Sequence, residues 1–347
     1  MTCFILPAHL LIELAEAGNV DFRDAVRTLL ASATMRARRA ALMEAVQFLD
    51  LDAAQLRPAD EFKAVYDVQG GDERALPGVL RRKEGDGAIN DAAVNDAFDN
   101  ADRTYDFYRD VLDRHSVDGN GLKLVSSVHF GRDFDNAFWD GTQMVYGDGS
   151  GQVFQFGALA RDISVVAHEI THGVVEYTAG LRYRTQSGAL NESMADVFGS
   201  LVKQHTLGQS ADQADWLIGG GILGTQLQGV ALRSMKDPGH AHQLDRQPAH
   251  MRSYVDLPDD GNPRNDNGGV HINSGIPNKA FHLTATRLGG NAWDRAGKVW
   301  YDALATKLGA DSDFADAAAA TTASAQALFG SDVANVVREA WNDVGVR

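Results

Sequence analysis

One cysteine, Cys3, stands among 347 residues. A lone thiol excludes any intrachain disulfide, so stability must come from packing or metal, and no disulfide framework reports the compartment. Positive charge is also scarce: 32 Lys+Arg face 47 Asp+Glu, a formal net charge of -15. Such a surface repels phosphate backbones and anionic head groups, which argues against nucleic acid as a partner and suits solubility. No segment reaches the roughly 18 to 20 uninterrupted apolar residues needed to span a bilayer. The opening MTCFILPAHLLIELAEAGN has no Lys or Arg before its apolar stretch, carries Pro7 and Glu13, and lacks a small-residue cleavage site, so it does not read as a signal peptide.

With 44% hydrophobic and 23% charged residues, the chain has the balance of a globular protein long enough for two or more packed units. Residues 1 to about 55 carry apolar positions at helical spacing, such as Leu10, Leu11 and Leu14, then Phe22, Val26, Leu29 and Leu30, then Leu42, Val46 and Leu49. They predict a small helical unit, whose Arg36, Arg38 and Arg39 read as a solvated helix face or an exposed processing region. From Glu61 the texture becomes β-like: FKAVYDVQGG, LKLVSSVHF after the turn signal at Asp118, and TQMVYGDGSGQVFQFG, with one helix over about 88–112. After Arg161 helices dominate, interrupted between Gly208 and Ile276 by a long Gly-, Asp- and Pro-rich region, and loops of that length are usually functional.

The stretch VVAHEITHGVVEY puts His168, Glu169 and His172 into an apolar helical run. Residues four apart share a helix face, so two imidazoles can converge on one metal ion while Glu169 addresses a water on it. The alternative is a helix with surface histidines, but Val165, Val166, Ile170, Val174 and Val175 make this helix apolar nearly all round. Burying two His and a Glu without partners would cost several kcal/mol. A catalytic zinc wants three protein ligands and an open position. Glu192 in GALNESMADVFGSLV is the candidate third ligand, and Asp196, four residues on, suits the role of orienting a ligand histidine. An amphipathic helix with two solvated acids is the competing reading.

Taken together, HEITHGVVEYTAGL, NESMADVFG, LRSMKDP, DNGGVHINSGIPNKAF, the upstream DNAFWDG and the terminal REAWNDVGV resemble the thermolysin family of zinc metalloendopeptidases, in order over about residues 62 to 347. The resemblance implies an α+β fold: a two-lobed zincin with a β-rich N-terminal lobe over 56–175 ending in the active-site helix, and a mainly α-helical C-terminal lobe over 176–347. It implies one zinc held by His168, His172 and Glu192 with Asp196 behind a histidine, and Glu169 as general base. His271 and Tyr183 match residues that steady the oxyanion, and Asp266 the acid that orients that histidine. Asn136, Ala137 and Arg233 match positions that hold the peptide backbone, and the run from Asn136 to Trp139 looks like a cleft open to extended chains. Val165, Ile218 and Leu232 align with an S1' lining, implying cleavage on the N-terminal side of bulky hydrophobic residues. Peptide or protein substrates follow as partners.

Two departures are visible. The family's paired calcium site falls on Ser164, Lys203, Asp215, Leu217 and Gly220, where one acid of five remains; calcium needs six to eight oxygens, so none is expected there, and Lys203 could pair with Asp215 instead. CFILPAHLLIELAEAG is similar to the short propeptide of the protealysin branch, which implies a zymogen whose residues 1–55 act as an intramolecular inhibitor, and a secreted enzyme, cytoplasmic before export by a route without a recognisable signal peptide. Cys3 is expected to be a mobile, unengaged thiol, with a latch on the zinc as the sharper alternative. A peptide-binding pseudoprotease is the rival function, and the intact Glu169 argues against it.

Overall fold

In the computed structural model, which describes residues 3–49 and 62–347, six strands form one sheet in the order β1-β5-β6-β4-β2-β3. These are β1 (Cys3–Phe4), β2 (Lys63–Asp67), β3 (Val79–Lys83), β4 (Leu124–Val128), β5 (Ala137–Trp139) and β6 (Met144–Tyr146). Strands β2, β4 and β6 run parallel, and the others add antiparallel at the two edges. All five β4 residues are buried, as expected of a strand covered on both faces.

One cover is helix α3 (Ala92–Leu112), whose Val94, Ala97, Phe98, Phe107 and Tyr108 are buried. Asp91 caps it by accepting from the Val94 amide at 3.3 Å, an arrangement worth about 1 kcal/mol. The expected start at residue 88 is early by four residues, because the chain turns helical only after this cap. After the short α4 (Ala158–Arg161) comes α5 (Ile163–Glu176), whose residues from Ser164 to Val175 are all buried, and then α6 (Thr185–Leu207). A Cβ on Gly199 of α6 would stand 2.7 Å from the Ser164 carbonyl oxygen and 3.5 Å from His168 Cβ. Only glycine lets these two helices approach so closely.

The C-terminal lobe is completed by α7 (Asp266–Asn273), α8 (Gly275–Leu288), a π-turn over Trp293–Gly297 leading into α9 (Lys298–Thr306), α10 (Phe314–Phe329) and α11 (Ser331–Asp343). The long 208–276 region carries one small hairpin of β7 (Leu217–Ile218) and β8 (Arg233–Ser234). Among the described residues no helix is long and apolar enough to cross a membrane.

The N-terminal unit is helical as expected, with α1 (Ala8–Glu16) and α2 (Phe22–Leu49). The side chains of Leu42, Val46 and Leu49 and the boundary proposed near residue 55 lie outside the described residues. Two expectations for this unit are corrected. Its first residues form a strand, which periodicity could not reveal because the partner lies 136 positions away, Cys3 opposite Trp139. The basic patch is not a solvated face: Arg39 is buried and ion-paired with Glu176, and the Arg36 guanidinium lies 5.2 Å from the Phe4 ring centre. Arg38 alone is exposed, and it donates to the Glu73 carbonyl.

Candidate metal centre and peptide cleft

On α5 the His168 and His172 rings stack edge to face, 4.5 Å apart. His168 Nδ1 faces Asp196 Oδ1 at 2.8 Å, and His172 Nδ1 faces Asn191 Oδ1 at 2.8 Å. The Asn191 amide is oriented by its own donation to the Leu181 carbonyl at 3.0 Å. Both partners are acceptors, so each neutral ring carries its proton on Nδ1 and leaves a lone pair on Nε2. Those two Nε2 atoms are 2.9 Å apart.

Glu192 on α6 completes the set. Its carboxylate oxygens lie 3.6 Å from His168 Nε2 and 3.4 Å from His172 Nε2, and all three side chains are fully buried. Glu192 Oε2 has no hydrogen-bond partner, nor has either oxygen of Glu169. Opposed lone pairs and orphaned carboxylate oxygens in a dry interior repel one another unless a cation lies among them, and two imidazoles with a carboxylate are a donor set that suits zinc. Burial and the neighbouring His168 hold the His172 imidazole well below its ordinary pKa, the neutral form a metal ligand needs. Burial, then the Glu192 charge, pushes the Glu169 carboxyl well above the ordinary carboxylate range, against a weaker opposing pull from the Trp139 backbone and Arg233.

Behind His168, Asp196 is held by three donors: Arg233 Nε and Nη2, each at 2.8 Å, and Asn278 Nδ2 at 2.9 Å. Burial would raise its pKa, but the Arg233 charge and His168 outweigh that and hold it below the ordinary range.

The other candidate residues converge from three elements. In α7, Asp266, Asn267, Gly268 and Gly269 all have positive φ, and this tight left-handed entry folds Asp266 back onto its own helix. Asp266 then accepts from the His271 amide at 2.8 Å and faces His271 Nδ1 at 2.6 Å. Burial disfavours the imidazolium of His271, yet Asp266 and Glu192 together carry its pKa up to about 9. His271 Nε2 lies 3.0 Å from the Tyr183 hydroxyl, which itself donates to Glu192.

Val165, Ile218 and Leu232 are buried in one apolar cluster with Ile5. Asn136, just before β5, and Ala137, its first residue, hydrogen-bond the N-terminal segment at Leu6 and Ile5, and Trp139 Nε1 donates to Glu176 at 3.0 Å. Hydrogen bonds and close pairs thus join His168, His172, Tyr183, Glu192, Asp196, Arg233, Asp266 and His271 in one buried network. Asn191, Asn278 and the double engagement of Arg233 were not foreseen. Asn191 directly precedes Glu192, and no spacing rule picks it out.

Cys3 is not the unengaged thiol expected. It is 3% exposed, and a ligand atom from each of Cys3, His172 and Glu192 lies within 4.8 Å of the others. Burial and then the Glu192 charge push its thiol pKa up. At the positions where no calcium was expected, Lys203 reaches Asp215 and the Leu217 carbonyl, Ser164 Oγ accepts from the Gly219 amide at 3.0 Å, and a Cβ on Gly220 would stand 3.7 Å from Lys203 Nζ.

Two protein-family profiles match: the thermolysin metallopeptidase catalytic domain over residues 50–176, and the thermolysin metallopeptidase alpha-helical domain over residues 179–346. The chain is 48% identical over 290 residues to an extracellular metalloprotease of Pectobacterium carotovorum subsp. carotovorum, covering 82% of this chain and 81% of that protein. Protease PrtS of Photorhabdus sp. (strain Az29) is 46% identical over 291 residues, 82% and 76% of the two chains. The solved precursor of protealysin, a metalloproteinase from Serratia proteamaculans, aligns with a TM-score of 0.78 at 47% identity, covering 83% of this chain and 88% of that one.

Proposed function

The chain belongs to the thermolysin family of metallopeptidases, and from that premise we propose that it is a zinc endopeptidase cutting on the N-terminal side of bulky hydrophobic residues, made as a zymogen. The observation that carries the reading is the pair of His168 and His172 Nε2 lone pairs 2.9 Å apart, with Glu192 beside them. His168, His172 and Glu192 would hold the zinc, with Asp196 and Asn191 fixing the two rings. Zinc, when bound, supplies a water of lowered pKa and polarises the scissile carbonyl.

The protein's own groups do the rest. Glu169 takes a proton from the attacking water and returns it to the leaving amine, the role of a general base and then acid. His271, oriented by Asp266, and Tyr183 donate to the carbonyl oxygen as charge grows on it, worth roughly 3 to 4 kcal/mol for a well-placed donor. Asn136, Ala137 and Arg233 hold the substrate backbone beside Trp139, while Val165, Ile218 and Leu232 line the pocket for the residue after the scissile bond. Ile5 is buried in the same apolar core as those three side chains, which supports the hydrophobic preference.

The N-terminal unit is read as the inhibitor. Its strand β1 fills the cleft, and its helices are tied down by Arg39 to Glu176, by Glu13 to Arg246 at 2.9 Å and by Glu16 to Arg264. The name of the Pectobacterium relative supports release outside the cell as the destination. The test is to incubate full-length protein with casein, alone and as Glu169→Ala, while following its own mass. Shortening by about 50 residues together with Glu169-dependent casein cleavage is the expected outcome. Absence of both with zinc bound would favour a peptide-binding protein instead.

A further inference from the structure

The N-terminal segment enters the cleft with a definite polarity, and the hydrogen bonds fix which residue stands at which position. The Phe4 carbonyl oxygen lies 2.9 Å from His271 Nε2, the donor that faces the carbonyl under attack. One residue on, the Ile5 amide donates to the Ala137 carbonyl at 3.1 Å and the Ile5 carbonyl accepts from Arg233 Nη1 at 3.0 Å. Next, Leu6 exchanges two hydrogen bonds with the Asn136 side chain, N–H to Oδ1 at 3.0 Å and C=O from Nδ2 at 3.1 Å. Pro7 has no N–H to continue the pairing, and the chain turns away into α1. Phe4, Ile5 and Leu6 are all buried, Ile5 completely.

A peptide whose carbonyl meets the oxyanion donors and whose next side chain fills the apolar pocket is aligned as a substrate. We infer that the Phe4–Ile5 bond is a cleavage site of this protein's own active centre, held in register for hydrolysis and shielded by Cys3, whose sulfur occupies the space beside His172 and Glu192. This inference rests on the endopeptidase reading above. Once that sulfur leaves, water adds to the Phe4 carbonyl carbon and the C–N bond to Ile5 breaks. Phe4 ends as a carboxylate, and both water protons, one carried by Glu169, end on the Ile5 nitrogen as an ammonium. The cut detaches β1, the strand that extends β5, from the helices of the unit, while Ile5 and Leu6 stay joined to α1, so the cleft is half emptied before the rest of the unit is removed.

The experiment uses the full chain loaded with zinc. In Cys3→Ala, mass spectrometry should find a new N-terminus at Ile5 and a fragment ending at Phe4, both absent from Cys3→Ala/Glu169→Ala; adding Ile5→Asp to Cys3→Ala should slow that cut at least about tenfold, a charge being excluded from the apolar pocket. Hydrogen exchange in Glu169→Ala, independent of turnover, should show the Ile5 and Leu6 amides protected together. Casein cleavage with the Phe4–Ile5 bond intact, or a first cut elsewhere in residues 3–11, overturns the inference and leaves the endopeptidase reading standing. Unprotected Ile5 and Leu6 amides also overturn it. Cleavage of neither casein nor the chain itself overturns both.

Discussion

Lys203 Nζ donates to both carboxylate oxygens of Asp215, at 2.9 and 2.7 Å. A side-chain ammonium thereby places one positive charge beside this carboxylate, and it also reaches the Leu217 carbonyl at 3.2 Å. A calcium-specific chelator, with zinc kept saturated, is therefore expected to leave the thermal midpoint unchanged. Lys203→Met should cost about 1 kcal/mol or less in denaturant unfolding, since Asp215 is half exposed and screened. A large loss of stability in the chelator would contradict this account.

Asn191 orients His172 without touching the metal position itself. Asn191→Ala frees the ring to rotate and should weaken zinc binding about 10–100-fold. Competition with a chelating dye measures this directly, and unchanged affinity would remove Asn191 from the site's working parts.

Tyr183→Phe deletes the hydroxyl that lies between Glu192 and His271 while keeping the ring. If that hydroxyl meets the developing oxyanion, kcat on a peptide substrate should fall about 10²–10³-fold with KM little changed. A selective rise in KM would make it a binding group instead.

Cys3→Ala tests the latch. Full-length Cys3→Ala should cleave casein before any shortening to the mature form, whereas the unaltered chain shows a lag. An identical lag in both would exclude the thiol from latency.

His129 couples folding to pH away from the metal. Its Nδ1 faces Asp148 at 2.7 Å and its Nε2 faces Asp91 at 3.3 Å. The Asp148 hydrogen bond, then the two aspartate charges, raise its pKa to about 9 against a moderate burial penalty. The unfolded imidazole titrates near about 6.5, so this stabilisation is complete below that pH and is lost as pH rises through about 9. His129→Gln should flatten the fall in thermal midpoint across that window, and an unchanged slope would assign the fall to other groups.

Much of the site was legible because its chemistry is local. His168 and His172 stand four apart on one helix, as Glu192 and Asp196 do on another, and helical spacing puts each pair on one face. The parts that residue spacing could not give depend on distance along the chain or on strained backbone. Pairing of β1 with β5 joins residues 3 and 139, and Arg39 meets Glu176 across 137 positions; neither leaves a periodic trace. Asp266 reaches His271 only because four successive residues adopt positive φ, and a sequence reading DNGG announces a turn without saying what the turn will aim. The ligand partner Asn191 illustrates a third limit, since the residue beside a recognised ligand faces wherever the neighbouring helix happens to lie.

Arg233 carries one further consequence. The same planar guanidinium grips Asp196 with two nitrogens and the Ile5 carbonyl with a third. Chain occupancy of the cleft and the hold on His168 thereby share a single guanidinium, so any effect of one on the other is returned in equal measure. On the zymogen reading proposed above, the strand that fills the cleft and the metal beneath it would then report on each other.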